Sequence, residues 1–121
     1  MQRKILIIED DIDILDAIQF ILERENYEVW STTKGEEVYK KIKEFKPELI
    51  ILDVLISGSD GRTICKNLKS NKQTSHIPVI MMSAHPTVEK EYKQFGGDDF
   101  LAKPFETDEL LSAVNNNLLT K

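Results

Sequence analysis

The sequence predicts an α/β domain in which a parallel β-sheet is enclosed by helices on both faces. Two observations lead to this prediction: five short apolar runs alternate with five segments of helical periodicity, and most of these runs are almost continuously apolar. Strands that are apolar on both faces are typical of parallel sheets covered on both sides. No linker, repeat or low-complexity segment interrupts the alternation, so the 121 residues are expected to form one domain over residues 1–121.

The first half of the chain supplies three of the predicted strands and two of the predicted helices. Apolar residues spaced three and four apart indicate the first helix. Thr33, followed three residues later by Glu36, forms a capping box that predicts the start of the second helix, and Pro47 follows that helix. The predicted strands are 4–8, 27–32 and 48–54, and the predicted helices are 12–25 and one that opens at 33–36 and extends to Phe45.

The second half continues the same alternation. Asp60 and Gly61 are interpreted as turn residues before a short helix, and Pro86 suits the first turn of the helix that follows the fourth strand. Acidic residues after Thr107 favour the start of the last helix. The predicted strands are 77–83 and 98–102, and the predicted helices are 60–70, 86–95 and one that begins at Thr107.

Five strands joined by right-handed helical crossovers allow few arrangements. At this length we expect a flavodoxin-like, doubly wound (βα)5 sandwich of three layers, with the parallel strands in the order 2-1-3-4-5. Ligands of such sheets bind at the carboxyl ends of the strands, beside the point where the strand order reverses. The residues that follow each strand are therefore expected to carry the function.

Composition excludes several classes of protein. The net charge is −5 and no cluster of basic residues stands out, which argues against nucleic-acid binding. No apolar run approaches the roughly 20 residues that span a bilayer, and the N-terminal apolar run is too short for a signal peptide, so a cytoplasmic location without membrane contact is expected. The single Cys65 lies on an apolar helix face and is interpreted as a core residue rather than a nucleophile.

Polar residues stand at the predicted strand ends. Glu9, Asp10 and Asp11 follow the first strand, and Asp53 ends the third. Because these two strands are neighbours in the predicted order, Glu9, Asp10 and Asp53 should converge, and carboxylates ~4 Å apart repel by roughly 4 kcal/mol per pair at an effective dielectric near 20. Such a site needs a cation or raised pKa values, and Mg²⁺ prefers oxygen ligands of this kind. Asp11 is interpreted as a helix cap.

Two further strand ends add a hydroxyl and a positive charge. Ser83 closes the fourth strand and Lys103 follows the fifth. Carboxylates, a metal ion, a lysine and a hydroxyl together suit a phosphoryl group. The chain has no glycine-rich phosphate loop, so a bound nucleotide is not expected.

The segments "ILIIEDD", "LIILDV", "MSA" and "DDFLAKPF" resemble, in order and spacing, the receiver domain of two-component response regulators, of the chemotaxis-regulator kind. The resemblance extends over the whole chain. It implies that Asp53 accepts a phosphoryl group from a sensor histidine kinase or a histidine phosphotransfer protein, in a phosphorelay that regulates a partner or an output domain. It also implies that the protein catalyses only its own phosphorylation and dephosphorylation and is not a conventional turnover enzyme.

The resemblance also implies roles for the surrounding residues. Mg²⁺ or Mn²⁺ would be bound directly by Asp10, mostly through water by Glu9, and by Asp53 and the backbone carbonyl of Leu55. Lys103 would pair with the phosphoryl oxygens, and the Lys103–Pro104 bond is expected to be cis. The implied switch consists of the Ser83 hydroxyl, which moves towards the phosphoryl group, the small neighbour Ala84 and the aromatic ring of Phe100.

Three features depart from the family pattern. The loop "DVLISGSDG" has Ser57 in place of a proline, which predicts a more mobile loop. The stretch from Ser83 to Lys103 is somewhat short, which predicts a shortened fourth helix or shortened flanking loops. His85 either faces the phosphoryl group and alters its lifetime or is a solvent-facing turn residue.

Two other functions share parts of this pattern. A phosphatase of the haloacid dehalogenase type also uses an aspartate, Mg²⁺ and a lysine, but its nucleophile ends the first strand, where this chain has Glu9. A receiver-like module that binds partners without phosphorylation is the main alternative. The cognate kinase, the output, a phosphorylation-dependent dimer and membership of a longer protein stay open.

Overall fold

The computed structural model describes residues 2–56 and 58–118. Its main sheet has five parallel strands in the order β2-β1-β3-β4-β5, which confirms the predicted flavodoxin-like topology. The strands are β1 (Lys4–Ile8), β2 (Glu28–Thr32), β3 (Leu49–Asp53), β4 (Val79–Ser83) and β5 (Asp99–Ala102).

In the part of the chain that the structure describes, five α-helices cover the two faces of this sheet, and two short 3-10 segments adjoin them. The fourth α-helix has six residues and continues into a 3-10 segment, so its α-helical part ends before residue 95, where the predicted helix ended. The helices are α1 (Ile12–Arg24), α2 (Val38–Phe45), α3 (Gly61–Ser70), α4 (Pro86–Glu91) and α5 (Thr107–Leu118), and the 3-10 segments are Gly35–Glu37 and Tyr92–Phe95.

The sheet separates two apolar clusters because successive side chains of a strand point to opposite faces. On β1, Leu6 and Ile8 pack against α2, α3 and α4, whereas Ile5 and Ile7 pack against α1 and α5. All four are fully buried. Burying such a side chain stabilises the fold by about 1.5–3 kcal/mol, so the central strands hold their carboxyl ends firmly in place.

The capping box predicted at Thr33 is wrong. The residue that precedes the 3-10 segment is Lys34, and its side chain makes no capping hydrogen bond. The hydroxyl of Thr32, the residue before Thr33, instead accepts a hydrogen bond from the Lys34 amide and donates one to the Glu37 carboxylate at 2.7 Å. The turn begins with the 3-10 segment Gly35–Glu37, and α2 begins at Val38, later than predicted.

The segment between Asp53 and α3 forms a small antiparallel hairpin that the sequence did not predict. Leu55–Ile56 pairs with Ser59–Asp60, and Gly58 has a φ of 76° in the turn. Asp60 then caps α3 by accepting a hydrogen bond from the Arg62 amide, which refines its interpretation as a turn residue. The mobility predicted from Ser57 concerns a position outside the described residues.

Within residues 2–56 and 58–118, no helix combines the length and the apolar character needed to span a membrane.

Candidate phosphorylation and metal site

Three carboxylates meet at the carboxyl edge of the sheet. β1 and β3 run in parallel with Ile8 opposite Leu52, so the residues that follow them, Glu9 and Asp53, lie side by side. One carboxylate oxygen from each of Glu9, Asp10 and Asp53 lies within 4.8 Å of the others. Glu9 and Asp53 are buried, with 0% and 5% of their surface exposed, whereas Asp10 is exposed. The cluster therefore has a buried floor and one accessible carboxylate.

The first turn of α1 fixes the orientation of this cluster. Glu9 Oε2 accepts a hydrogen bond from the Asp11 amide at 3.1 Å. Asp11 is the N-cap of α1, and its carboxylate accepts hydrogen bonds from the amides of Asp13 and Ile14. The interpretation of Asp11 as a cap is confirmed, and its carboxylate is engaged by the helix rather than by the acidic cluster.

Lys103 places its ammonium group against two of the carboxylates. Its Nζ lies 2.5 Å from Glu9 Oε1 and 3.4 Å from Asp53 Oδ1. The Lys103 amide donates a hydrogen bond to the Ser83 carbonyl at 3.0 Å, which extends the β4–β5 pairing by one residue. The Lys103–Pro104 bond is cis, as expected. Lys103 therefore presents its positive charge to Glu9 and Asp53 from the β5 side.

The electrostatics of the cluster follow from burial. The pKa of Asp53 is raised to about 7, first by burial and then by the hydrogen bond and the negative charge of Glu9, while Lys103 acts in the opposite direction. Burial alone would lower the pKa of Lys103, but its contacts with Glu9 and Asp53 outweigh burial and leave that pKa above its ordinary value. The pocket thus has more negative charge than Lys103 alone balances.

A divalent cation fits this arrangement. Glu9, Asp10 and Asp53 offer only oxygen atoms, which are the ligands that Mg²⁺ and Mn²⁺ prefer. The added positive charge would favour the ionised form of Asp53. Leu55, whose backbone carbonyl is the fourth predicted ligand, lies at the start of the hairpin with its side chain 63% exposed.

Gly61 is a site residue that sequence reasoning missed. A Cβ atom at this position would lie 2.3 Å from the Asp53 carbonyl oxygen and 2.8 Å from the Val54 Cα. The Gly61 amide donates a hydrogen bond to the Val54 carbonyl at 2.8 Å. The start of α3 therefore packs directly on the backbone of Asp53, at a distance that only glycine permits. The adjoining Asp60-Gly61 pair signalled a turn, but no local pattern signals this contact.

Ser83 lies at the end of β4 and is buried with 4% exposed surface. Its hydroxyl accepts a hydrogen bond from the His85 amide at 2.9 Å. Ala84 is exposed. His85 is the N-cap of α4, where its Nδ1 accepts a hydrogen bond from the Thr87 amide and contacts the Thr87 hydroxyl at 2.7 Å. These contacts favour the turn alternative for His85.

Phe100 on β5 is half-buried and packs at the border of the cluster shared by α2, α3 and α4. Its ring stacks on that of Tyr92, with 5.9 Å between the centroids and an interplanar angle of 26°. Tyr92 belongs to the 3-10 segment after α4, so the pair joins two different elements. Sequence reasoning missed Tyr92 because no periodicity links residues in separate elements.

Comparison with known proteins agrees with this geometry. The family model described as "Response regulator receiver domain" matches residues 5–115. A protein from Chloroflexus aurantiacus J-10-fl, assigned as a response regulator, has 32% identity, with 98% of this chain and 99% of the other covered and a TM-score of 0.93. The signal receiver domain of a signal transduction histidine kinase from Syntrophus aciditrophicus has 32% identity over 98% and 91% of the two chains, with a TM-score of 0.88.

The chemotaxis protein CheY4 of Vibrio cholerae is also similar, with 27% identity over 98% of this chain and 100% of the other and a TM-score of 0.88. The chain belongs to the family of response regulator receiver domains. Receiver domains act in two-component phosphorelay signalling, where they interact with histidine kinases and with output domains.

Proposed function

We propose that Asp53 accepts a phosphoryl group from a phosphohistidine of a sensor histidine kinase or a histidine phosphotransfer protein. The observation that carries the proposal is the Asp53 carboxylate, buried at a strand end between Glu9, Asp10 and the Lys103 ammonium group. In the transfer, the N–P bond of the donor breaks as an O–P bond to Asp53 forms, and the imidazole retains the electron pair.

The surrounding residues have two roles in the transfer, metal binding and contact with the phosphoryl oxygens. Glu9, Asp10, Asp53 and the Leu55 carbonyl would hold Mg²⁺ or Mn²⁺, which when bound supplies positive charge for the carboxylates and the transferred group. Lys103 Nζ, 3.4 Å from Asp53 Oδ1, is close enough to donate hydrogen bonds to oxygens of a phosphoryl group on Asp53. Glu9 keeps that ammonium group in place.

We further propose that phosphorylation shifts the domain between two conformations. The Ser83 hydroxyl is held by the His85 amide, and it would turn to donate a hydrogen bond to the phosphoryl group, with Ala84 leaving room. The Phe100 ring would then turn inward and leave Tyr92. Because the phosphoryl group binds Ser83 and Lys103 better in one conformation, the population shifts towards it and changes the surface of α4, β5 and α5.

Phosphorylation can be tested by incubating the protein with acetyl phosphate and Mg²⁺ and measuring its intact mass. We expect one phosphoryl increment that is labile to hydroxylamine, depends on Mg²⁺ and is absent from Asp53→Asn. Glu36→Gln, at an exposed glutamate outside the three-carboxylate cluster, is the matched control and should be modified like the wild type. An unmodified wild type that also fails to respond to beryllofluoride would contradict the proposal and favour a module that binds partners without phosphorylation.

The switch can be tested separately in Lys103→Ala. We expect phosphorylation that is normal or modestly slowed, with weakened beryllofluoride-induced amide shifts in β5 and α5. If the Lys103→Ala response to beryllofluoride equals that of the wild type, Lys103 has no role in the switch.

The proposal also limits catalysis to the phosphorylation and dephosphorylation of Asp53. A colorimetric assay with p-nitrophenyl phosphate should therefore show no sustained hydrolysis. Sustained hydrolysis of this ester would favour a phosphatase.

A further inference from the structure

A second cavity opens at the amino edge of the sheet, opposite the three-carboxylate cluster. It has a volume of about 610 Å³ and lies between the end of α2, the start of β3 and the segment 71–77 that follows α3. The buried side chains of Ile42 and Ile77 contribute to its apolar lining, and the ring of Tyr39 lines it as well. We call this cavity the basal cleft. Its volume falls within the range of about 300–1,000 Å³ that small-molecule sites occupy.

The rim of the basal cleft is basic, although the chain as a whole has a net charge of −5. Lys43 and Lys46 lie on its α2 side, and neither ammonium group forms an ion pair within residues 2–56 and 58–118. Arg3 also lines the cleft and pairs with Glu48 at 2.8 Å. Among the described residues that line the cleft, Glu48 is the one acidic residue, and Arg3 balances its charge. The cleft therefore presents a local excess of positive charge.

Lys46 also adopts an unusual backbone conformation. It follows α2 with a φ of 55°, and its amide donates a hydrogen bond to the Ile42 carbonyl at 2.9 Å. Glycine is the residue that this position favours, because a Cβ atom is strained there. The chain thus places a long cation where the backbone alone would favour glycine, and this cation borders the cleft.

We infer that the basal cleft binds a small amphipathic anion, in which an apolar ring carries a carboxylate, sulfonate or phosphate group. The ring would pack on Ile42, Ile77 and Tyr39, and the anionic group would be held by Lys43 and Lys46. Apolar burial supplies affinity, at roughly 25 cal/mol per Å² removed from water, and the exposed ammonium groups select the charge of the ligand.

This site is independent of the proposed phosphorylation. Leu49 and Asp53 mark the two ends of β3, and four steps of about 3.3 Å separate the edges by roughly 13 Å along the strand. None of Glu9, Asp53 or Lys103 lines the cleft. An occupant of the cleft therefore leaves the carboxyl edge open, and the site goes beyond the proposed function.

The probe for the test is 8-anilinonaphthalene-1-sulfonate, titrated into ¹⁵N-labelled protein and followed by amide chemical shifts. We expect saturable shifts confined to the end of α2, the start of β3 and the segment 71–77. In the double variant Lys43→Glu/Lys46→Glu the affinity should fall by about fivefold or more, which corresponds to two exposed charge contacts of about 0.5 kcal/mol each. The uncharged analogue N-phenyl-1-naphthylamine should bind the wild type more weakly.

The matched control is Lys40→Glu/Lys66→Glu, which changes the same charge at exposed lysines that do not line the cleft and should keep the wild-type affinity. Equal affinity in the rim and control variants, or shifts centred elsewhere, would overturn the inference. Tighter binding of an acidic tryptophan-containing peptide than of the sulfonate would also overturn it, because the occupant would then be a protein segment. Acetyl phosphate should modify the rim variant normally, so the two proposals can fail separately.

Discussion

The two edges of the same sheet differ in how they hold charge. At the carboxyl edge, Glu9 and Asp53 are buried and contact the ammonium group of Lys103. At the amino edge, Lys43 and Lys46 are exposed around an apolar cleft. Buried charges depend on one another because each loses hydration that only a partner or a metal ion can replace, whereas exposed charges are screened by water.

One fold therefore carries two kinds of electrostatic site. A change of charge at the carboxyl edge should alter both the stability of the domain and its chemistry. A change at the amino edge should alter ligand preference with little effect on the fold. Four variants test this contrast, and they follow in decreasing order of the change that we expect.

The largest effect is expected for Lys103→Met, measured by urea unfolding in EDTA at pH 8. Loss of the ammonium group leaves the buried Glu9 and Asp53 carboxylates without their cation, so the free energy of unfolding should fall by about 3 kcal/mol. The matched change Lys43→Met, at the exposed rim, should stay within about 0.5 kcal/mol of the wild type. Similar decreases in the free energy of unfolding of both variants would contradict the difference between the two edges.

The next effect concerns Gly61→Ala. The added Cβ would meet the Asp53 carbonyl oxygen, so the backbone must shift, at a cost of about 2 kcal/mol in the free energy of unfolding. Magnesium-dependent phosphorylation should weaken as well, because the shift displaces Asp53. Gly58→Ala has open space but a φ of 76°, so it should cost about 1 kcal/mol from strain and leave phosphorylation intact. Unimpaired phosphorylation of Gly61→Ala would show that this contact does not position the site.

A third test uses the pH dependence of Asp53. Its pKa rises from 3.8 to about 7 on folding, so the folded state binds the proton more tightly, and stability is lost as the pH rises through this interval. In EDTA, Asp53→Asn should therefore exceed the wild type in the free energy of unfolding by about 1–3 kcal/mol at pH 8, and the difference should shrink towards pH 4. Mg²⁺ should stabilise the wild type more than the variant. A difference that does not vary with pH would contradict the raised pKa.

The smallest effect is expected at the rim, in Lys46→Gly. A Cβ atom costs about 1–2 kcal/mol at this positive φ, and glycine avoids that cost. Because glycine also loses more conformational entropy on folding, the net rise in the free energy of unfolding should be about 0.5–1 kcal/mol. Lys43→Gly, inside α2, is the control and should destabilise by about 1 kcal/mol. Thermal and urea unfolding measure both, and a destabilised Lys46→Gly would show that the Lys46 side chain supports the fold.

Much of the fold could be predicted because its signals are local. Continuous apolar runs such as residues 4–8 identify buried parallel strands, and the acidic residues that follow them stand at the edge where such sheets bind ligands. The start of α2 was predicted less well. Thr33 carries the pattern of a cap, but the neighbouring hydroxyl of Thr32 bonds Lys34 and Glu37 instead.

Local sequence patterns predicted the alternation of strands and helices, the order of the sheet and the set of polar residues at its carboxyl edge. Only the tertiary structure decided which distant side chains meet: Lys103 with Glu9, Tyr92 with Phe100, and Gly61 with the Asp53 backbone. It also placed Ile77 beside Lys43 and Lys46, which lie together at the end of α2, around one cleft. The physical reason is that periodicity acts between neighbours in the sequence, whereas these contacts depend on how separate elements pack.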